Sequence, residues 1–333
     1  MSSRKRILVI KLSSFGDIFH ALPTVNNLKV ALDAEIDWVT QPEYVELVSC
    51  IPIVSEVIPF PRRELLPRGR AFIRKLRSRK YDMVIDLQGL LKSAIVARLA
   101  RGDKTIGPSF QREGARLFYD AVAARRDKNR HAVDENLDVV RYLGLPLLPV
   151  AFPVVFPEQA VDAPAPRVAI VPVSRRENKN WPVGNFLQTA RVLRQEFGAS
   201  IFLFGSKTDH GVCEGLRSEL LAESGQGTVV NLAGKTSLVE MGGWFLRMNL
   251  VVVNDSGPLH MAAALGIPVV TMFGPTDPHR TGPYGAGHRV ITTKVACRPC
   301  FDRVCKFPEV ECMNGISTDE VIAAAREVLI KVK

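Results

Sequence analysis

Short apolar runs rich in β-branched residues alternate with stretches of helical spacing from the start of the chain. The runs at 7–10, 36–39 and 83–87 are apolar at most positions. Strands of that kind are covered on both faces, as in a parallel sheet layered with helices, and their alternation with helical segments reads as βαβ units. A stretch with Pro146, Pro149, Pro153, Pro157, Pro164 and Pro166 then interrupts the pattern. Proline fixes the backbone and withholds a ladder donor, so such a stretch joins domains. The alternation resumes with runs at 168–171, 201–204, 229–232, 250–253 and 269–273. It closes with a helix expected over 318–332, whose Val321, Ile322, Ala325, Val328 and Leu329 share one face. The pattern predicts an α/β chain of two doubly wound domains facing a cleft, 1–160 and 161–315, with a C-terminal helix over 316–333 that could pack back on the first domain.

Size fits that division. A chain of 333 residues exceeds one ordinary domain, and 47% hydrophobic against 23% charged residues leaves apolar material for two cores. No stretch approaches the ~20 apolar residues of a membrane span, and the first residues run straight into a strand pattern rather than a signal peptide, so a cytoplasmic protein is expected. The 44 Lys and Arg against 34 Asp and Glu give a formal net charge of +10. Such an excess suits an anionic partner: nucleic acid, phospholipid headgroups or phosphorylated sugars. Cys297, Cys300, Cys305 and Cys312 form a C-x2-C-x4-C-x6-C cluster. It reads either as a structural zinc site or as small buried apolar residues.

Four segments carry candidate chemistry. Lys11 to Pro23, with Ser13, Ser14, Gly16, Asp17 and His20, follows the first strand and opens a helix. Ligands of open α/β sheets bind at the carboxyl ends of strands, so Asp17 can project a carboxylate into a cleft; equally, it can be a helix N-cap. Asn254-Asp255-Ser256-Gly257-Pro258-Leu259-His260 follows the run at 250–253. It is either a diphosphate cradle at a helix N-terminus or a plain capped turn. Between Val171 and Pro182, Arg175, Arg176 and Lys179 can meet phosphate or be solvated surface. Arg70, Arg74 and Arg77 share a face of a basic amphipathic helix whose Phe72, Ile73 and Leu76 lie on the other side. That helix suits an anionic membrane or phosphates, and no aromatic residues interleave with the charges as a base-stacking surface would require.

Absences narrow the reading. No G-x-G-x-x-G follows the first strand, and no G-x-x-x-x-G-K-[ST] occurs, which removes the common dinucleotide and P-loop enzymes. No Asp-x-Asp pair is present to hold a cation on a diphosphate, so protein cations and helix amides would have to stabilise one.

Taken in order, Lys-x-Ser-Ser-x-Gly-Asp17-x-x-His20-x-Leu-Pro23, Tyr81-Asp-x-Val-Ile-Asp-x-Gln88-Gly89-Leu-x-Lys92-Ser93, Lys179-x-Trp181-Pro182 and Asn254-Asp255-Ser256-Gly257-Pro258-x-His260 cover most of the chain. Together they resemble the lipopolysaccharide heptosyltransferases of glycosyltransferase family nine. The stretch around Gln88 and Lys92 looks more like heptosyltransferase I than heptosyltransferase II, whereas Ser256 and the cysteine cluster depart from the former. The resemblance implies a GT-B architecture of two Rossmann-like domains and an inverting, metal-independent reaction, with no cofactor. It implies ADP-L-glycero-D-manno-heptose as donor and the Kdo of Kdo2-lipid A as acceptor. Asp17 resembles the general base, and Lys179, Asp255, Ser256, Gly257 and His260 the donor contacts. Ser13, Ser14, His20 and Lys92, with Arg70, Arg74 and Arg77 of the basic helix, are the acceptor candidates. A monomer working peripherally at the anionic inner-membrane surface, without nucleic acid, is the expected setting. The rivals are a heptosyltransferase II or another family-nine transferase, a nucleotide-sugar epimerase or hydrolase, and a basic module binding nucleic acid or phospholipid.

Overall fold

The computed structural model describes residues 4–223 and 227–331. Among these, the chain divides into two compact units, Met1–Val155 and Phe156–Lys333. The first unit holds β1 (Arg6–Ile10), β2 (Glu35–Thr40), β3 (Glu56–Pro59), β4 (Tyr81–Asp86), β5 (Gly102–Gly107) and β6 (Ala121–Val122), parallel throughout and ordered β3-β2-β1-β4-β5-β6. The second holds β7 (Arg167–Val171), β8 (Ser200–Leu203), β9 (Val229–Asn231), β10 (Leu250–Asn254), β11 (Val269–Phe273) and β12 (Arg289–Thr292), also parallel and ordered β12-β11-β10-β7-β8-β9. Each sheet starts in the middle and grows outward in both directions, so the strand order reverses between β1 and β4 and between β7 and β10. Those reversals open the crevice in which α/β sheets bind ligands.

Most strands anticipated from apolar runs are buried interior ones, with Ile7 to Ile10 and Val251 to Val253 fully inaccessible; β9 was also anticipated although it lies at the edge of its sheet. The strands β3, β5, β6 and β12 were not anticipated. Their sequences are short or carry Glu56, Asp103, Lys104 or Arg289, and most of these residues keep some exposure.

The unit boundary falls inside the proline-rich stretch, just before the expected residue 160. Val155 N donates to Cys50 O at 2.8 Å, which ties it to the first unit, whereas the buried Phe156 ring lies against Gly242 of the second. Any β-carbon on Gly242 would strike that ring. The C-terminal helix spans Thr318–Ile330 and starts at a capping box of Ser317 and Glu320. Its Val321, Ala325, Val328 and Leu329 join Leu193 and Val252 in the core of the second unit. The apolar face of this helix is thus used within its own unit. Val332, the expected last residue of the helix, lies outside the described residues.

Candidate functional site

In the first unit the turn after β1 runs into the helix Phe15–Leu32. Ser14 takes the N-cap position, so Asp17 is not the cap but the third helical residue. Its Oδ2 accepts from Ser14 N at 2.9 Å and from Ser14 Oγ at 2.8 Å, and its Oδ1 lies 3.9 Å from His20 Nδ1. The carboxylate still keeps 46% of its side-chain surface exposed, so one oxygen fixes the group and the rest can meet a ligand.

A cavity of about 160 Å³ opens beside Asp17, lined by Lys11, His20, Gln88, Arg112, Arg126 and Glu135 among others. Lys11 is buried and donates from Nζ to Leu87 O at 2.7 Å. Burial pushes its ammonium below the usual lysine range, while the charges of Asp17 and Asp86 pull the other way. Asp86, at the inaccessible end of β4, accepts from Gln88 N at 2.7 Å, Gly89 N at 3.1 Å and Tyr119 Oη at 2.7 Å. Burial raises its carboxyl above the ordinary range, and these bonds oppose the rise. The turn they hold needs Gly89, whose φ of +69° lies in the left-handed region. Gln88 Oε1 then accepts from Ser13 N at 2.8 Å, so the β4 turn braces the β1 turn that carries Asp17.

The remaining candidates of this unit are dispersed. Lys92 is half-buried in the first turn of the helix Leu91–Leu99, where burial and the neighbouring Arg62 charge push its ammonium down. Arg70, Arg74 and Arg77 are exposed on the helix Leu65–Leu76 and its C-cap, opposite the buried Phe72 and Leu76. Ile73, expected on the apolar side, is instead 36% exposed among the arginines, because it sits one turn from both Arg70 and Arg77.

In the second unit the turns after β7 and β10 meet at the strand-order reversal. Asn254 joins them: its Oδ1 accepts from Trp181 N at 3.0 Å and its Nδ2 donates to Pro172 O at 2.9 Å. Trp181 is inaccessible, packs edge-on to Phe186 at 5.1 Å and donates to Ile316 O at 3.0 Å. This anchoring delivers Lys179, two residues earlier, to an ion pair with Asp255 Oδ2, which also accepts from Thr276 Oγ1. An ammonium has three donors, so the pair leaves two for a ligand.

Ser256 is the N-cap of the helix Gly257–Ala264, with Pro258 in its first turn and His260 buried on it. Ser256 Oγ is buried with no hydrogen-bond partner among the described residues. A helix N-terminus beside a lysine favours phosphate through amide dipoles and charge. Arg176 does not point to a shared anion site; its guanidinium donates to Asp302 O, as does Asn178 Nδ2 at 2.9 Å.

All six cysteines are free thiols, with Cys213 and Cys312 buried and Cys297 and Cys300 exposed. Among the described residues no three His, Cys, Asp or Glu side chains are arranged to hold a metal ion, and no helix is long and apolar enough to cross a membrane. Sequence reasoning missed Lys11, Gln88, Arg112 and Arg126 as neighbours of Asp17, and Thr276 as a partner of Asp255. For Gln88 and Lys11 the signal was present, since both lie just past central strands; for the others, only folding shows the proximity.

Residues 69–311 match the family model for glycosyltransferase family 9 (heptosyltransferase). The chain is 29% identical over 324 residues to lipopolysaccharide heptosyltransferase 1 of Pseudomonas aeruginosa, spanning 92% of this chain and 89% of that one. It is 31% identical over 309 residues to lipopolysaccharide heptosyltransferase 1 of Escherichia coli K12, spanning 86% and 92%. Among solved structures it is similar to the E. coli heptosyltransferase WaaC with ADP-2-deoxy-2-fluoro heptose, with a TM-score of 0.75 and 25% identity over 98% of this chain and 100% of that one. Two Rossmann-like sheets in the GT-B manner and a match across most of the chain lead to one conclusion: this chain belongs to glycosyltransferase family 9, the heptosyltransferases.

Proposed function

We propose that the chain transfers L-glycero-D-manno-heptose from ADP-heptose to the Kdo of Kdo2-lipid A, with inversion and without a metal. The observation that carries the reading is the half-exposed Asp17 carboxylate, fixed by Ser14 beside a cavity lined by Lys11, Arg112 and Arg126. Three cations around a candidate base suit an acceptor sugar that itself bears a carboxylate. Asp17 takes the proton of the acceptor hydroxyl as that oxygen attacks the anomeric carbon. The bond to ADP breaks on the opposite face, and its electron pair stays on the diphosphate oxygen.

Lys179 and the amides near Ser256 and Gly257 meet the charge that develops on the leaving diphosphate. Stabilisation placed where charge grows is worth more than ground-state binding. The donor assignment draws on the relative whose solved structure holds an ADP-heptose analogue. Asp255 orients Lys179, His260 is buried on the helix that follows the donor turn, and Ser13, Ser14, His20 and Lys92 are the residues assigned to the acceptor. The basic helix with Arg70, Arg74 and Arg77 suits a monomer working at the cytoplasmic face of the inner membrane, where the lipid acceptor resides.

The test is a product assay with ADP-heptose, with and without Kdo2-lipid A, in the presence of a chelator. The account expects a heptosylated lipid with inverted anomeric configuration, formed at the same rate when divalent cations are removed. Donor consumption without acceptor would assign a hydrolase or epimerase instead. Transfer to an already heptosylated core in place of Kdo2-lipid A would move the acceptor one sugar outward.

A further inference from the structure

The helix Leu65–Leu76 presents a face that neither the reaction nor the core of the first unit uses. Residues 62–80 hold nine Lys and Arg against one acid, Glu64. Arg68 is paired with Glu64 at 2.6 Å, Lys75 with Glu56, Arg79 with Glu35 at 2.8 Å and Lys80 with Asp103 at 2.7 Å. Among the described residues no carboxylate lies within ion-pairing distance of Arg70, Arg74 or Arg77, and all three are exposed.

Counting along the helix, Leu66, Arg70, Ile73, Arg74 and Arg77 stand at i, i+4, i+7, i+8 and i+11, which is one face. Leu66 is 98% exposed and Ile73 36%, while Phe72 at 7% and Leu76 at 0% anchor the helix to the protein from the other side. The rigid attachment leaves the mixed apolar and cationic face pointing outward. A leucine that bare gains nothing from folding; its burial requires something outside the chain.

We propose that this face is a membrane-docking surface for an anionic phospholipid bilayer. Leu66 and Ile73 enter the boundary between headgroups and acyl chains, and Arg70, Arg74 and Arg77 engage the phosphates around them. The inference rests on the reading of a lipid-borne acceptor, which supplies the reason to dock, but its geometry is that of the helix alone. Interfacial helices combine these two ingredients: apolar side chains at the acyl boundary and cations at the headgroups, the arginine stems lying along apolar surface. Nucleic acid fits the face less well. A phosphate backbone has no use for an exposed leucine between arginines, and this face offers no aromatic ring for stacking bases.

Each cation near an anionic surface multiplies partitioning by about fivefold, so the three arginines favour anionic over neutral vesicles by about a hundredfold at low salt. Leu66 adds about a further tenfold that salt does not screen. The experiment uses the full chain and vesicles of phosphatidylglycerol and phosphatidylcholine, with phosphatidylcholine alone as the neutral arm. Leu66→Trp tests insertion directly: the emission it adds to that of the native tryptophans should be quenched by bromine on the acyl chains of anionic vesicles. Leu66→Ser should lose about tenfold in vesicle affinity while melting like the parent, since the position packs against nothing. It should also keep full turnover on a deacylated, water-soluble Kdo acceptor. Added emission from Leu66→Trp that stays unquenched, or Leu66→Ser vesicle binding equal to that of the parent, overturns the proposal. Tighter binding to duplex RNA than to anionic vesicles at equal ionic strength also overturns it and assigns the face to nucleic acid. A parent protein that inserts but transfers no heptose leaves the docking face standing and removes the proposed reaction.

Discussion

Replacing Lys179 with Met separates the two tasks that the Lys179–Asp255 pair performs. The side chains are 14% and 5% exposed, so the pair lies nearly out of water. Removing the ammonium leaves a buried carboxylate whose remaining partner is the Thr276 hydroxyl. Breaking a buried pair from one side costs about 3–5 kcal/mol, and the slight exposure of Lys179 puts the expectation at the lower end. At about 2–4 °C per kcal/mol for a domain of this size, melting should fall by about 6–12 °C. Adding Asp255→Asn removes the stranded charge, and the double variant should recover most of that loss.

Donor affinity should behave differently. A charge-assisted hydrogen bond to diphosphate contributes about 1.5–3 kcal/mol, so Lys179→Met should weaken ADP binding by roughly 10- to 150-fold. The double variant should not regain it. Thermal melting and titration calorimetry with ADP on the parent, the two single variants and the double variant complete the cycle. A double variant that binds ADP like the parent would show that Lys179 acts only on stability. A single variant that melts within about 2 °C of the parent would show that the pair is not the buried contact described.

Two further outcomes follow from burial. Cys297 and Cys300 are exposed, whereas the inaccessible Cys213 thiol is pushed up to about 12 by burial, first, and by the charges of Asp209 and Glu214. A thiol titration at about pH 8 should therefore find a fast phase that disappears in Cys297→Ser with Cys300→Ser; native-state reaction of Cys213 would contradict the buried core of the second unit. Burial lowers Lys11 below the ordinary lysine value of 10.5, so the unfolded chain binds more protons in the window between the two values. Stability should rise with pH across that window and the same gain be lost as pH falls back to the folded value, and Lys11→Met should flatten the slope. Parallel stability curves for Lys11→Met and the parent would refute the burial of that ammonium.

The central strands were legible because both faces of a sandwiched parallel sheet demand apolar residues in succession. The runs containing Ile7 and Val251 show that demand directly, while β5, written Gly102-Asp-Lys-Thr-Ile-Gly107, carries charge where its end reaches solvent and so hides its identity. The positions of Asp17 and of the 254–260 turn were readable for the same reason: each follows a central strand. Their chemistry was less so. Whether Asp17 caps its helix depended on Ser14, an equally good cap three residues earlier. The pairing of Lys179 with Asp255 joins residues 76 positions apart, and nothing in local spacing announces it. Arg112 and Arg126 come from irregular segments that reach the Asp17 cavity only through the tertiary path of the chain. Ile73 was misplaced because an apolar residue was assumed to face the apolar side, although its angle around the helix puts it among the arginines.

Asp17→Asn, assayed for ADP affinity and for turnover with ADP-heptose and Kdo2-lipid A, tests the proposed chemistry most directly. The amide retains a hydrogen-bond acceptor for Ser14 and the size of the side chain but cannot take a proton. ADP affinity should stay at the parent value while turnover drops about 10²- to 10⁴-fold, the usual worth of a positioned general base. Turnover at the parent rate with an intact fold would contradict the assignment of Asp17 as the base.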